Sequence, residues 1–280
     1  MRIAALGSGS AGNSLIIESG GRRLLVDAGF SCRQLGLRLE SLGDGPDGPG
    51  LDTIEGLLLT HEHSDHCRGA DVLARRHGVP VYGTAGTLSH LDLDPESTTT
   101  HTIRSGQPFE VAPPSNGDEN LSPAFRVEPF SLPHDAREPV GFVIEDDAGH
   151  RLGLAADLGC RSQLAWARLV DLDVLVLETN HDLSMLRGGP YPWHLKQRVA
   201  SRHGHLSNRE AAEGVRELVG DRLQHVMLYH LSRTNNHPTL AAAAVGEVLD
   251  TEGSSAAVVL TEQDRPTSWI QIAPRGEVEE

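Results

Sequence analysis

The sequence predicts a layered α/β protein with a metal centre at one edge of its sheets. Three observations lead there. Short apolar runs alternate with stretches that suit helices, the βα pattern of a layered sheet. Strand after strand ends in a group able to bind metal or carry a proton: Asp27, His61, His134, Asp157, Glu178 and His230. Residues 61–66 gather His61, His63, Asp65 and His66 directly behind the apolar run Leu57-Leu58-Leu59.

Taken in order, Ile3-Ala4-Ala5-Leu6 is a strand that runs into Gly7-Ser8-Gly9-Ser10-Ala11-Gly12. This spacing matches G-x-G-x-x-G. The next stretch, residues 13–19, is however a second strand, where a dinucleotide site needs a helix to receive the pyrophosphate. No Lys-Ser or Lys-Thr follows to make a P-loop. The loop reads instead as a tight connection beside the metals, its backbone NH groups turned toward an anionic substrate. Gly20-Gly21 turns the chain into a hairpin strand ending at Asp27, a candidate acceptor for the second ring nitrogen of a ligand histidine.

Residues 31–40 suit a short helix and 43–50 a Gly/Pro/Asp loop. The strand over 54–60 carries the histidine cluster. A helix over 69–77, a strand over 79–82 and a short helix over 83–90 follow, with exposed loops over 92–101 and 113–123. In the second half a strand over 125–132 ends in Pro133-His134-Asp135-Ala136. Residues 140–145 and 151–156 form a hairpin whose second strand ends in Asp157. A buried strand over 173–177 ends in Glu178. Helices over 191–203 and 208–218 lead to a strand over 226–229 ending in His230. An Ala-rich helix over 238–249, apolar stretches at 258 and 269–272, and a polar tail close the chain.

Composition limits the function. The 280 residues, 38% hydrophobic, are enough for a sizeable core. The net charge of −15 argues against a protein that coats nucleic acid without regard to sequence, though not against a local basic groove. Cys32, Cys67 and Cys160 are scattered and odd in number, which fits a reducing cytoplasm with neither disulfides nor a thiolate zinc knot. The sequence shows no signal peptide and no apolar run of membrane-spanning length.

Two divalent ions need about seven protein ligands with one bridging carboxylate. His61 and His63, two apart on an extended stretch, point the same way and would share one ion with His134. Asp65 and His66, displaced at the turn into a helix, would hold a second ion with His230, and Asp157 would bridge. Imidazole and carboxylate donors suit zinc, manganese or iron.

Thr60-His61-Glu62-His63-Ser64-Asp65-His66, with a downstream His, an Asp after a strand and a late His, resembles the metallo-β-lactamase superfamily over essentially the full chain. The resemblance implies a four-layer αββα sandwich, one domain over 1–280, with a dinuclear Zn²⁺ or Mn²⁺ site at one edge of the sheets. The stretches 6–14, 133–136, 189–192, 204–208 and 230–236 are similar to the YycJ/WalJ/VicX subgroup. That subgroup implies a phosphodiesterase, a 5′-to-3′ exonuclease acting on DNA rather than RNA through a metal-bridging hydroxide. Asp157 departs from the subgroup in its neighbours, Ala-Ala-Asp-Leu-Gly rather than Thr-Asp-Thr-Gly, but the carboxylate is kept. Likeness to ribonuclease Z implies that Glu178 and His205 form a proton-handling pair, with Asp65 also at the reaction centre; capping of the following helix is the other role open to His205. The competing function is hydrolysis of a thioester, lactone or other small ester on the same metals. For nucleic acid, the best local basic stretch runs from Arg187 to Arg202, with Tyr191 and Trp193 available for stacking. His181 and His194 are weaker candidates for the site.

Overall fold

The structure, a computed structural model, describes residues 1–43, 50–111 and 125–274. Most of the expected loop at 43–50 and all of that at 113–123 lie outside the described residues. Two mixed sheets pack face to face. The first contains β1 (Arg2–Gly7), β2 (Ser14–Ser19), β3 (Arg22–Val26), β4 (Ile54–Leu58), β5 (Val81–Thr84), β6 (Thr100–Ile103) and β14 (Ile270–Gln271). The second contains β7 (Phe109–Val111), β8 (Phe125–Ser131), β9 (Val140–Asp146), β10 (Arg151–Ala155), β11 (Val174–Glu178), β12 (His225–Tyr229) and β13 (Ala257–Leu260). The first sheet runs β14-β1-β2-β3-β4-β5-β6 and the second β13-β12-β11-β10-β9-β8-β7.

Alternation along the strands builds the layers. Ile3 and Ala5 of β1, Leu24 and Val26 of β3 and Leu58 of β4 face Val140, Phe142, Leu154 and Val176 of the second sheet across the central core. The intervening Ala4, Leu25 and Leu57 pack outward against α1 (Cys32–Glu40) and α3 (Ala70–His77) through Leu35, Leu39 and Leu73. On the other side, Leu175, Leu177, Val226 and Leu228 pack against α5 (Gln163–Trp166), α8 (Asn208–Leu218) and α9 (Pro238–Thr251). Strands apolar on both faces are buried on both faces, hence the unbroken runs in the sequence. The αββα sandwich is as expected.

In both sheets the parallel strands at the centre, β3-β4-β5 and β10-β11-β12, end on one side and open into the loops that carry the polar groups. The expected helix over 191–203 is shorter. It spans only Trp193–Val199, here α7. The chain then turns back through Gly204, where a Cβ would stand 2.2 Å from the Arg198 carbonyl oxygen. The expected loop over 92–101 gives way at Thr100 to β6, parallel to β5. Three short elements, β7, α5 and α6 (Leu183–Gly188), are additions to the sequence reading, each too brief to show periodicity.

One buried carboxylate ties the sheets together. Ser19, at the end of β2, donates to Asp146 Oδ2 at 2.6 Å, and the His150 amide donates to Oδ1 at 2.8 Å. Burial alone would raise its pKa, but the hydrogen bonds from Ser19 and His150 hold the carboxyl below its usual range. A depressed folded pKa gives stability that is present above the unfolded value and lost as pH falls through the folded one. Asp146→Asn is therefore expected to lower Tm at pH 7, by a loss of about 2 kcal/mol. The gap from the parent protein should narrow below about pH 4. A gap that stays constant from pH 7 to pH 3.5 in thermal melts would rule out this role for the ionised carboxylate.

Candidate metal centre

The cluster sits where β4 leaves its sheet. His61 and His63 lie in the extended exit from β4, and His63 immediately precedes α2 (Ser64–Cys67), which carries Asp65 and His66. The loop after β3 holds this turn from beneath. Ala28 N donates to His66 O at 2.7 Å, Gly69 N to Ala28 O at 2.7 Å, and Asn13 N to Asp65 O at 2.8 Å. The fit is close enough that a Cβ on Gly29 would lie 1.8 Å from the Asp65 carbonyl oxygen.

The second sheet brings the other groups. His134 follows β8, Asp157 follows β10, Glu178 ends β11 and His230 follows β12. His205 lies between α7 and α8. Three sets of donor atoms converge within 4.8 Å: His61, His63, His134 and Asp157; Asp65, His66, Asp157 and His230; and Asp157, Glu178, His205 and His230. All seven residues expected to bind metal, and both of the proton-handling pair, thus meet at one place. Asp157 is common to every set. Its Oδ2 lies 3.4 Å from His61 Nε2, 3.1 Å from His66 Nε2 and 3.7 Å from His134 Nε2.

These separations are compatible with donors gathered around metal ions. Donors bonded at about 2.05 Å to a tetrahedral ion stand about 3.3 Å apart. Among the described residues His61 Nε2 is buried without a hydrogen-bond partner, as an atom aimed at a third body would be, while Asp157 Oδ1 lies 3.0 Å from His230 Nδ1. Burial, and next the neighbouring charge of His66, push the pKa of His61 down to about 4. Its imidazole is neutral at pH 7, the form that binds metal.

The outer ring nitrogens are anchored. His66 Nδ1 donates to Asp27 Oδ2 at 2.7 Å, the role expected of Asp27, while Thr60 N donates to Asp27 Oδ1 at 2.9 Å. The His134 Nδ1 partner is Gly204 O at 3.1 Å. His205 Nδ1 donates to Glu178 Oε1 at 2.6 Å, and Glu178 Oε2 accepts from Leu158 N at 2.9 Å and Leu206 N at 3.2 Å. Burial opposes ionisation of Glu178, but the charge and hydrogen bond of His205 bring its pKa to about 2. The helix after His205 has its own cap, since Ser207 and Glu210 form a capping box on α8. His205 is free of that duty.

Three ring or carboxylate positions depend on unusual backbone. Asp27, Asp157 and His230 have φ of 59°, 55° and 56°. Such left-handed residues cost about 1 kcal/mol each and persist where surroundings hold them. For His230 the hold is visible: its amide donates to Ser8 Oγ at 2.7 Å, and Asn180 Nδ2 donates to its carbonyl at 3.0 Å.

The Gly-rich loop stands beside the centre as expected, but not as an anion cradle. The amides of Ser8, Gly9, Ala11 and Gly12 are taken by Glu262 O, Asn13 Oδ1, Gln263 Oε1 and Gly9 O. Its contribution is the side chains. Ser8 Oγ donates to Asn13 Oδ1 at 2.8 Å, and Asn13 Nδ2 lies 3.1 Å from His66 Nε2. Ser8, Asn13, Thr60 and Asn180 were not singled out in the sequence, because hydroxyls and amides carry no ligand spacing. His181 is buried outside the three sets, neither ring nitrogen hydrogen-bonded among the described residues, and His194 is exposed.

A family model described as "Beta-lactamase superfamily domain" matches residues 22–231. The chain belongs to the metallo-β-lactamase superfamily. Within the superfamily it is 35% identical over 253 residues to exodeoxyribonuclease YycJ of Bacillus anthracis, spanning 90% of each chain. It is 34% identical over 243 residues to exodeoxyribonuclease WalJ of Streptococcus pneumoniae serotype 2, spanning 86% of this chain and 85% of that one. These values place it in the YycJ/WalJ group. The metallo-β-lactamase fold protein YhfI of Bacillus subtilis shares the fold at 17% identity, with a TM-score of 0.68 over 95% of this chain and 98% of its own. Short-form human tRNase Z does so at 18% identity, with a TM-score of 0.61 over 98% of this chain and 100% of its own. As a superfamily member the protein is a metal-dependent hydrolase.

Proposed function

We propose that the protein is a dinuclear metal-dependent phosphodiesterase acting as a 5′-to-3′ exodeoxyribonuclease. The observation that carries this reading is the Glu178–His205 pair, hydrogen-bonded at 2.6 Å and sharing a donor set with Asp157 and His230 of the ligand cluster. Displacing a sugar alkoxide from phosphorus needs a proton at the leaving oxygen, and an imidazole held by a buried carboxylate can supply it. The two relatives at 34–35% identity are exodeoxyribonucleases, which favours DNA over RNA as substrate.

His61, His63, His134 and Asp157 would hold one ion, and Asp65, His66, His230 and Asp157 the other, Zn²⁺ or Mn²⁺ being the candidates. Such ions supply a nucleophile from water near neutral pH and offset phosphoryl charge. The chain's own residues do the rest. Asp27 and Gly204 O fix the rings of His66 and His134, so that their Nε2 atoms face the centre. Glu178 fixes the tautomer of His205, leaving Nε2 to carry the proton. The same reading takes the chain as one domain working in a reducing cytoplasm, where the free Cys32, Cys67 and Cys160 stay reduced. Among the described residues no helix is long and apolar enough to cross a membrane.

The test uses metal-free protein refilled with zinc or manganese and offered duplex DNA with a 5′-phosphate, labelled at either end. Mononucleotides should be released from the 5′ end, and bis(p-nitrophenyl) phosphate should be hydrolysed by the same preparation. Turnover of thioesters or lactones with neither phosphodiester cleaved would replace this function with the acyl one.

A further inference from the structure

The far end of α7 is attached to the metal centre. His205 N donates to Val199 O at 2.9 Å, and Asp135 N donates to His203 O at 3.1 Å. Asp135 in turn lies against His134, with Oδ1 at 3.3 Å from Nε2. From α7, Arg198 donates through Nε to Asp135 Oδ2 at 2.6 Å. Its side chain is 57% exposed, and neither terminal amino group has a partner among the described residues. A guanidinium pinned by Nε keeps a planar fork of two donors free, the geometry that fits two oxygens of one phosphate. Asp135 contributes most to holding this cation charged, and the carboxylates of Asp157 and Asp65 add to it. On a chain of net charge −15, a cation so placed is out of keeping with general attraction of nucleic acid and in keeping with a single contact. At the other end of α7, about 7.5 Å away along the axis, the Trp193 side chain is 70% exposed. An indole left in water at a cost is a stacking surface for a base.

We propose that Arg198 grips the phosphate next to the scissile one and that Trp193 stacks a base of the same strand, making α7 the guide for the DNA. This rests on the exonuclease reading above and adds the path of the strand to it. Asp135 is the positioning residue for Arg198.

The experiment is steady-state kinetics of the metal-loaded protein on a 5′-phosphorylated single-stranded oligonucleotide across a salt series. Arg198→Ala should raise KM about tenfold or more. It should also make the slope of log(kcat/KM) against log salt shallower by about 0.7, one phosphate contact on a single strand. Arg198→Lys should restore the slope but only part of the affinity, because an ammonium cannot form the fork. Trp193→Ala should raise KM about fivefold or more with the slope unchanged. Metal content of all three should equal that of the parent. An unchanged slope in Arg198→Ala overturns the phosphate contact, and so does metal loss with a fall confined to kcat, which would mean that Arg198 acts only through His134. An unchanged KM in Trp193→Ala overturns the stacking. If the parent protein leaves DNA intact, the exonuclease reading itself fails, and this proposal with it; if it degrades DNA while the variants behave like it, only this proposal fails.

Discussion

Asp157→Ala is expected to abolish turnover and to leave the centre nearly free of metal. Among the described residues no other side chain belongs to all three donor sets, and its Oδ2 lies 3.1 to 3.7 Å from the Nε2 atoms of His61, His66 and His134. On the proposed assignment its removal would cost each donor set a ligand and the centre a buried negative charge. The fall in kcat should reach about four orders of magnitude or more. Elemental analysis after dialysis should find the bound metal falling from two ions per chain toward none. A variant that keeps two tightly bound ions would remove Asp157 from the bridging role, whatever its activity. Asp157→Asn sharpens the result, because it preserves volume and the left-handed φ of 55° while discarding the charge. Metal loss in that variant as well would assign the effect to charge rather than to backbone.

The second large effect is expected from His205→Ala, which should slow cleavage of DNA by about 10²- to 10⁴-fold without loss of metal. His205 is held by Glu178 at 2.6 Å and belongs only to the third donor set, so both ligand sets survive its removal. Proton donation matters in proportion to how poor the leaving group is. The variant should therefore lose far less on bis(p-nitrophenyl) phosphate, whose phenolate leaves without a proton, than on DNA, whose alkoxide does not. Equal losses on the two substrates would rule out proton donation, and loss of metal would make His205 a support of the centre instead. Glu178→Gln should reproduce most of the loss on DNA, since an amide cannot stabilise the imidazolium or enforce its tautomer.

Much of this was legible beforehand, for reasons tied to particular residues. The strands that carry the centre are buried on both faces, so Leu24–Val26, Leu57–Leu59 and Val174–Leu177 appear as unbroken apolar runs with a polar residue at the end. Candidate ligands such as His61 and His63 betray themselves by residue type and spacing. The anchoring groups do not. Thr60 meets Asp27 at 2.9 Å, and Ser8 meets the amide of His230 across a separation of 222 residues. Contacts of that kind depend on how two sheets dock, and no local pattern encodes them. The Gly-rich loop misled in part for the same reason: its glycines were visible, but two of the partners that take up its amides, Glu262 and Gln263, come from far along the chain.

The ligand set is divided between the two sheets. His61, His63, Asp65 and His66 come from the first, and His134, Asp157 and His230 from the second, the last of them near the end of the chain. On this assignment, a chain still emerging from the ribosome displays the conspicuous histidine cluster long before the bridging carboxylate exists. It holds half of each site and the whole of neither. On the proposed function, neither donor set of the centre would be whole until strands of both sheets had come together, and the set that includes His230 would wait for β12.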